Sequence, residues 1–169
     1  EALSPEWLSA ALGTRYPGIT VTGVTPGEVI SRVATNARFT IEVEGGVPAG
    51  LSEHLCVKGY FTETGKPYRH AGVPESLFYR SISRSTGMRT LECAYADLDT
   101  DTFDSVVITH DVAVHGATFL DSRSAYSPDQ TAQSLEELAK LHGSTWMAPA
   151  FADAAWLTSR LEEYTTRRG

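Results

Sequence analysis

The chain has 169 residues, of which 41% are hydrophobic and 21% charged, and a formal net charge of -7. This composition fits a folded globular domain with a real core rather than a disordered chain, and the acidity argues against a phosphate-backbone partner, so nucleic-acid binding is not expected. No apolar run approaches the ~18 residues of a membrane span and no charged-then-apolar leader opens the sequence, so no membrane association and a cytoplasmic location are expected.

In chain order, Ser4-Pro5-Glu6 followed by Trp7, Leu8, Ala11 and Leu12 predicts a short helix. Ser4 is its N-cap, Pro5 suits the first turn and Gly13 is its stop. Ile19-Thr20-Val21 and Glu28 to Val33 then read as strands, followed by a polar break at Ala34-Thr35-Asn36-Ala37. Arg38 to Glu44 alternates with the period of a half-buried strand. After a loop through Gly45-Gly46 and Pro48-Ala49-Gly50, His54 to Phe61 form a strand that carries Lys58. Thr62 to Val73, with Gly65, Pro67 and Gly72, reads as loop, and Pro74 to Ile82 as an amphipathic helix that carries Glu75.

Leu91 to Leu98 and Ser105 to Val112 predict an antiparallel hairpin joined by the acidic turn Asp99-Thr100-Asp101-Thr102. Its run of carboxylates lacks the Gly and Glu that a calcium loop needs at its sixth and twelfth positions, so a solvated turn is the reading. Ala113 to Tyr126 is polar and irregular. Ser127-Pro128-Asp129-Gln130 has the form of a capping box, and Leu135, Leu138, Ala139, His142 and Trp146 recur behind it at helical spacing. A last helical stretch begins near Asp153, and Arg167-Arg168 reads as a solvated end. The pattern is α+β, with a twisted antiparallel sheet of about five strands backed by the Glu75 helix.

Cys56 and Cys93 are expected as two buried free thiols, and the five histidines have no metal-ligand spacing. Trp7, Trp146 and Trp156 read as helix-packing residues. No Gly-x-Ser-x-Gly elbow is present, and neither cysteine has a basic neighbour in sequence that would favour its thiolate. A strand lysine followed by a helix carboxylate, Lys58 and Glu75, resembles the pair that protein-kinase-like enzymes use to hold the phosphates of ATP, in which the strand aims the lysine and the carboxylate keeps its ammonium charged.

The order of these segments resembles the amino-terminal lobe of the aminoglycoside phosphotransferase-like kinases, near the ecdysteroid-kinase-like and choline-kinase-like branch. Glu28 to Glu44 resembles the first strand, phosphate-covering loop and second strand. Leu55-Cys56-Val57-Lys58 resembles the third strand with its nucleotide lysine, and Glu75 to Arg80 the helix that supplies its partner. Val106 to Val112 resembles the last strand running into the hinge. Leu135 to Trp146, with Leu138-Ala139-Lys140-Leu141-His142 inside it, resembles the first large helix of the second lobe. The resemblance spans Glu28 to Trp146 and departs in two places: Ala34-Thr35-Asn36-Ala37 lacks glycine, and His110 stands where many relatives carry Glu.

The resemblance implies a kinase-like lobe over residues 1–112, a hinge or linker over 113–126 and the first helices of a second, incomplete lobe over 127–169. It implies Lys58 on the phosphates of ATP, Glu75 orienting Lys58, Thr35 and Asn36 over the phosphates, and Thr109, His110, Asp111 and Val112 against adenine. It further implies a parent enzyme that transfers the γ-phosphate of ATP, with Mg²⁺, to a small hydroxylated acceptor. The catalytic Asp and the metal ligands of that family are expected beyond residue 169, so these residues alone would not catalyse the transfer. Two other readings stand beside it: a non-catalytic interaction or regulatory module that keeps the lobe fold, and an unrelated small-ligand-binding α+β domain. The last of these expects no contact between Lys58 and Glu75.

Overall fold

The computed structural model describes residues 3–152. The helix expected from Asp153 onward, Trp156 and Arg167-Arg168 lie outside the described residues. A five-stranded sheet with neighbours in the order β1-β2-β3-β5-β4, antiparallel throughout, forms the body of the fold. Its strands are β1 (Val21–Ser31), β2 (Thr35–Val43), β3 (His54–Gly59), β4 (Cys93–Leu98) and β5 (Ser105–His110). The described helices are α1 (Pro5–Gly13), α2 (Val73–Ser81) and α3 (Pro128–Thr145), with short 3₁₀ turns between elements.

Local chemistry sets the helix starts. The Ser4 hydroxyl accepts the Trp7 amide at 3.2 Å, and Ser127 with Gln130 forms the full reciprocal capping box. The sheet separates two environments because side chains alternate along each strand. One face carries Phe39, Ile41, Leu55, Val57 and Ile108, which pack with Leu8 and Leu12 of α1 into the core. The other face carries Asn36, Arg38, Cys56, Lys58 and Thr109, and α2 lies at its β4–β5 end. Hydrophobic burial on the first face therefore fixes which residues point out of the second.

Three local expectations are corrected. The two predicted early strands are one, β1, whose pairing with β2 slips between Pro26 and Val29, so an irregularity bridges the Pro-Gly break. The predicted polar break is already strand: Thr35 to Ala37 open β2, and only Arg32 to Ala34 turn. The predicted loop before α2 contains a 3₁₀ helix, Lys66–Gly72, hidden in the sequence by its Gly and Pro content.

Trp7 packs edge-on against Tyr95 with ring centroids 5.8 Å apart, as a packing residue should. Trp146 does not pack: it is 78% exposed, as α3 presents Leu135 and Leu138 outward too. The acidic turn is closed by its own carboxylate, since Asp99 Oδ1 accepts the amides of Asp101 and Thr102 at 2.8 and 3.1 Å. Among the described residues no helix is long and apolar enough to cross a membrane.

Candidate functional site

β3 lies between β2 and β5 and carries Lys58 one residue before its end. In register, Lys58 sits opposite Asn36 of β2 and Val107 of β5. α2 begins with Val73-Pro74, which places Glu75 in its first turn, where a carboxylate also suits the helix dipole. Gly72, just before it, is required by close approach: a Cβ there would lie 2.3 Å from Ser105 Oγ. That contact brings the start of α2 down onto β5. Lys58 Nζ then meets both oxygens of Glu75, at 2.9 Å to Oε1 and 2.8 Å to Oε2.

The pair borders a cavity of about 280 Å³, close to the lower end of the ~300 Å³ range of small-ligand sites. Seven of the eight predicted site residues line it: Asn36, Lys58, Glu75, Thr109, His110, Asp111 and Val112. Thr35 does not. It is 7% exposed, on the opposite face from Asn36, with its hydroxyl 3.0 Å from that of Ser31. Neighbouring strand residues point to opposite faces, so of the Thr35-Asn36 pair only Asn36 can face Lys58. The turn before them does not project freely either: a Cβ on Gly65 would meet the Val33 carbonyl at 2.4 Å, so the turn rests on the Thr62–Gly65 loop.

Where β5 ends, the backbone is ordered by Asp111. Its amide donates to the His54 carbonyl at 2.9 Å, and its Oδ1 accepts the Ala113 amide at 2.9 Å, capping a short 3₁₀ turn. Val112 opens that turn, and among the described residues its amide has no acceptor. The His110 ring accepts the Ser52 amide at Nε2, 3.3 Å away, which requires an unprotonated nitrogen there. Burial holds the His110 pKa below its ordinary value of 6.5, against a smaller opposing pull from Glu92. Between the folded pKa and 6.5 the unfolded chain binds more protons, so stability rises with pH through that window and is lost as pH falls through it. Denaturant titrations from pH 7.5 to 5 should show this loss, and the slope should diminish in His110→Gln.

Residues that sequence reasoning missed share the cavity. Arg38 reaches across it: its Nη1 pairs with Glu28 and its Nε lies 3.4 Å from Asp111 Oδ2. Its guanidinium carbon lies over the ring of Phe119, from the irregular segment. Tyr79, Leu91 and Cys56 complete the apolar wall. Only the alternation Arg38, Thr40 on β2 could have flagged Arg38, and its partners come from remote segments.

Cys56 and Cys93 are free and flank Thr109 in register on either side. Two strand spacings, roughly 10 Å, separate them, beyond disulfide reach. Burial raises both thiols, Cys93 to about 11. At pH 8 about one Cys93 in a thousand would then be thiolate. Iodoacetamide at pH 8 should therefore label the folded chain far more slowly than the urea-unfolded chain. Cys56, only partly buried where a buried thiol was expected, borders the cavity and should react first.

No protein-family model, curated protein or solved structure matches this chain. The ionic groups of the site are two cations, Lys58 and Arg38, and three carboxylates, Glu28, Glu75 and Asp111. Both cations already have carboxylate partners. The arrangement offers an aimed ammonium at one end, an apolar wall in the middle and an open backbone amide at the other end.

Proposed function

We propose that this chain supplies the nucleotide-gripping lobe of an ATP-dependent small-molecule O-phosphotransferase resembling the aminoglycoside phosphotransferase-like kinases. The observation that carries the reading is the two-pronged contact of Lys58 with Glu75, at 2.9 and 2.8 Å, beside a cavity that also takes in Thr109 to Val112. An accidental likeness would not require that contact, nor bring the end of β5 to the same cavity. In this reading Glu75 holds the Lys58 ammonium toward the phosphates, Asn36 borders them, and the Val112 amide donates to the adenine edge.

A polyphosphate beside Lys58 meets an ammonium already paired with Glu75, in a cavity whose three carboxylates outnumber its two cations. It would need a counter-cation, which fits Mg²⁺ carried with the nucleotide and neutralising phosphate charge. Among the described residues no group of three His, Cys, Asp or Glu could hold a metal ion. The reading assigns neither the metal ligands nor the Asp that accepts the acceptor's hydroxyl proton to the described residues. Calorimetric titration of the chain with ATP in the presence of Mg²⁺ tests the reading: saturable binding near one nucleotide per chain supports it, and its absence at millimolar ATP refutes it.

One observation favours a second reading, a non-catalytic module with the same fold. α3 exposes Leu135 and Leu138, followed by Trp146 and Met147, the last 88% exposed. These are the side chains a partner would cover. A chain that binds no nucleotide yet associates through this face would support the module instead.

A further inference from the structure

Lys58 accounts for the phosphate end of the cavity, whereas Arg38 dominates the other end. The β2 register places Arg38 opposite Cys56, two residues from the Asn36–Lys58 pair and on the same face. Its guanidinium is fixed along its edges, by Asp111 at Nε and by Glu28 at Nη1. Asp111 is 6% exposed and its other oxygen already holds the Ala113 amide, so this anchor is set in the protein rather than in solvent. With Nε and Nη1 paired with carboxylates, the plane of the group is left for a ring in the cavity. Arg planes are stacking surfaces for aromatic rings.

Phe119 lies against the same group, with the guanidinium carbon over its ring. Its ring centroid lies 5.7 Å from the guanidinium carbon. Yet Phe119 is 64% exposed and belongs to the irregular segment after the 3₁₀ turn, with no strand or helix to hold it. A ring sandwiched between the two groups would need two stacking distances, roughly 7 Å in all. The observed separation does not admit one.

We infer that the Arg38 plane is the stacking surface for the heteroaromatic ring of the ligand, and that Phe119 occupies this surface as an internal competitor which the ring displaces. The inference rests on the nucleotide reading of the cavity and adds to it the residues that select a base. Arg38 sets the preference for ligands with a ring, and Phe119 lowers their affinity by holding the same place.

The test compares two ligands, ATP and inorganic tripolyphosphate, both with Mg²⁺, titrated calorimetrically into the whole chain. Tripolyphosphate reports the Lys58 end alone. Arg38→Lys keeps a cation for the buried Asp111 but removes the plane, and Phe119→Ala alters an exposed side chain, so both should fold. Wild type should prefer ATP. Arg38→Lys should lose on the order of tenfold in ATP affinity, the scale of one base stack, while tripolyphosphate is unchanged. Phe119→Ala should gain about two- to fivefold for ATP, the scale of one exposed cation–π contact, again without change for tripolyphosphate. Parallel shifts of both ligands, or weaker ATP binding by Phe119→Ala, would overturn the inference. Failure of wild type to bind either ligand would overturn the nucleotide reading, and this inference with it.

Discussion

Replacing Lys58 with Ala should weaken ATP binding about ten- to a hundredfold, from the ~1.5–3 kcal/mol of a charge-assisted hydrogen bond to phosphate. The same change should leave the fold almost untouched. Lys58 and Glu75 side chains are 37% and 32% exposed, and ion pairs of that kind contribute about 0–1 kcal/mol. Function and stability should thus separate at one residue, which a purely structural lysine would not do. Glu75→Gln should fall between, because the ammonium keeps its charge but loses its aim. Paired thermal melts and ATP titrations on the three proteins would read both quantities. Equal ATP affinity in wild type and Lys58→Ala would remove Lys58 from the site.

Leu55→Ala should do the reverse. Leu55 is fully buried and sits on the core face of β3, on the opposite side from Cys56 and Lys58. Truncating such a leucine removes about 2–5 kcal/mol, depending on how far the cavity collapses. For a domain of this size that lowers the melting temperature by about 4–20 °C. Well below that temperature, ATP affinity should stay within a few-fold of wild type, since no ligand-facing atom changes. Calorimetric melts check the first part. A loss under ~1 kcal/mol would mean that the α1 face is not the core.

The two variants mark what the sequence made legible. The apolar run Leu55-Cys56-Val57 ending in Lys58 marks a strand lysine, and the amphipathic stretch around Glu75 supplies the partner; both are short-range patterns. The Ser127–Gln130 capping box was legible for the same reason. Thr35 was not, because a polar stretch carries no hydrophobic phase to tell which of two neighbours faces Lys58. Arg38 was missed because its place depends on Glu28, Asp111 and Phe119, which are brought together only by strand pairing and the return of the chain after β5. The 3₁₀ helix from Lys66 to Gly72 was hidden because glycine and proline suit a tight helix as well as a loop. Helical periodicity predicted α3 but left open what covers its apolar residues, and Leu135 and Trp146 stand exposed.

The account turns on the cavity beside Lys58 being a nucleotide site. Backbone amide NMR of the isotopically labelled chain, titrated with ATP and Mg²⁺, tests that location most directly. The account predicts saturable shifts clustered at Asn36, at Cys56 to Gly59 and at Thr109 to Ala113, with the Val112 amide among the largest. Shifts clustered on α1 and the opposite sheet face, or no shifts at millimolar ATP, would contradict it.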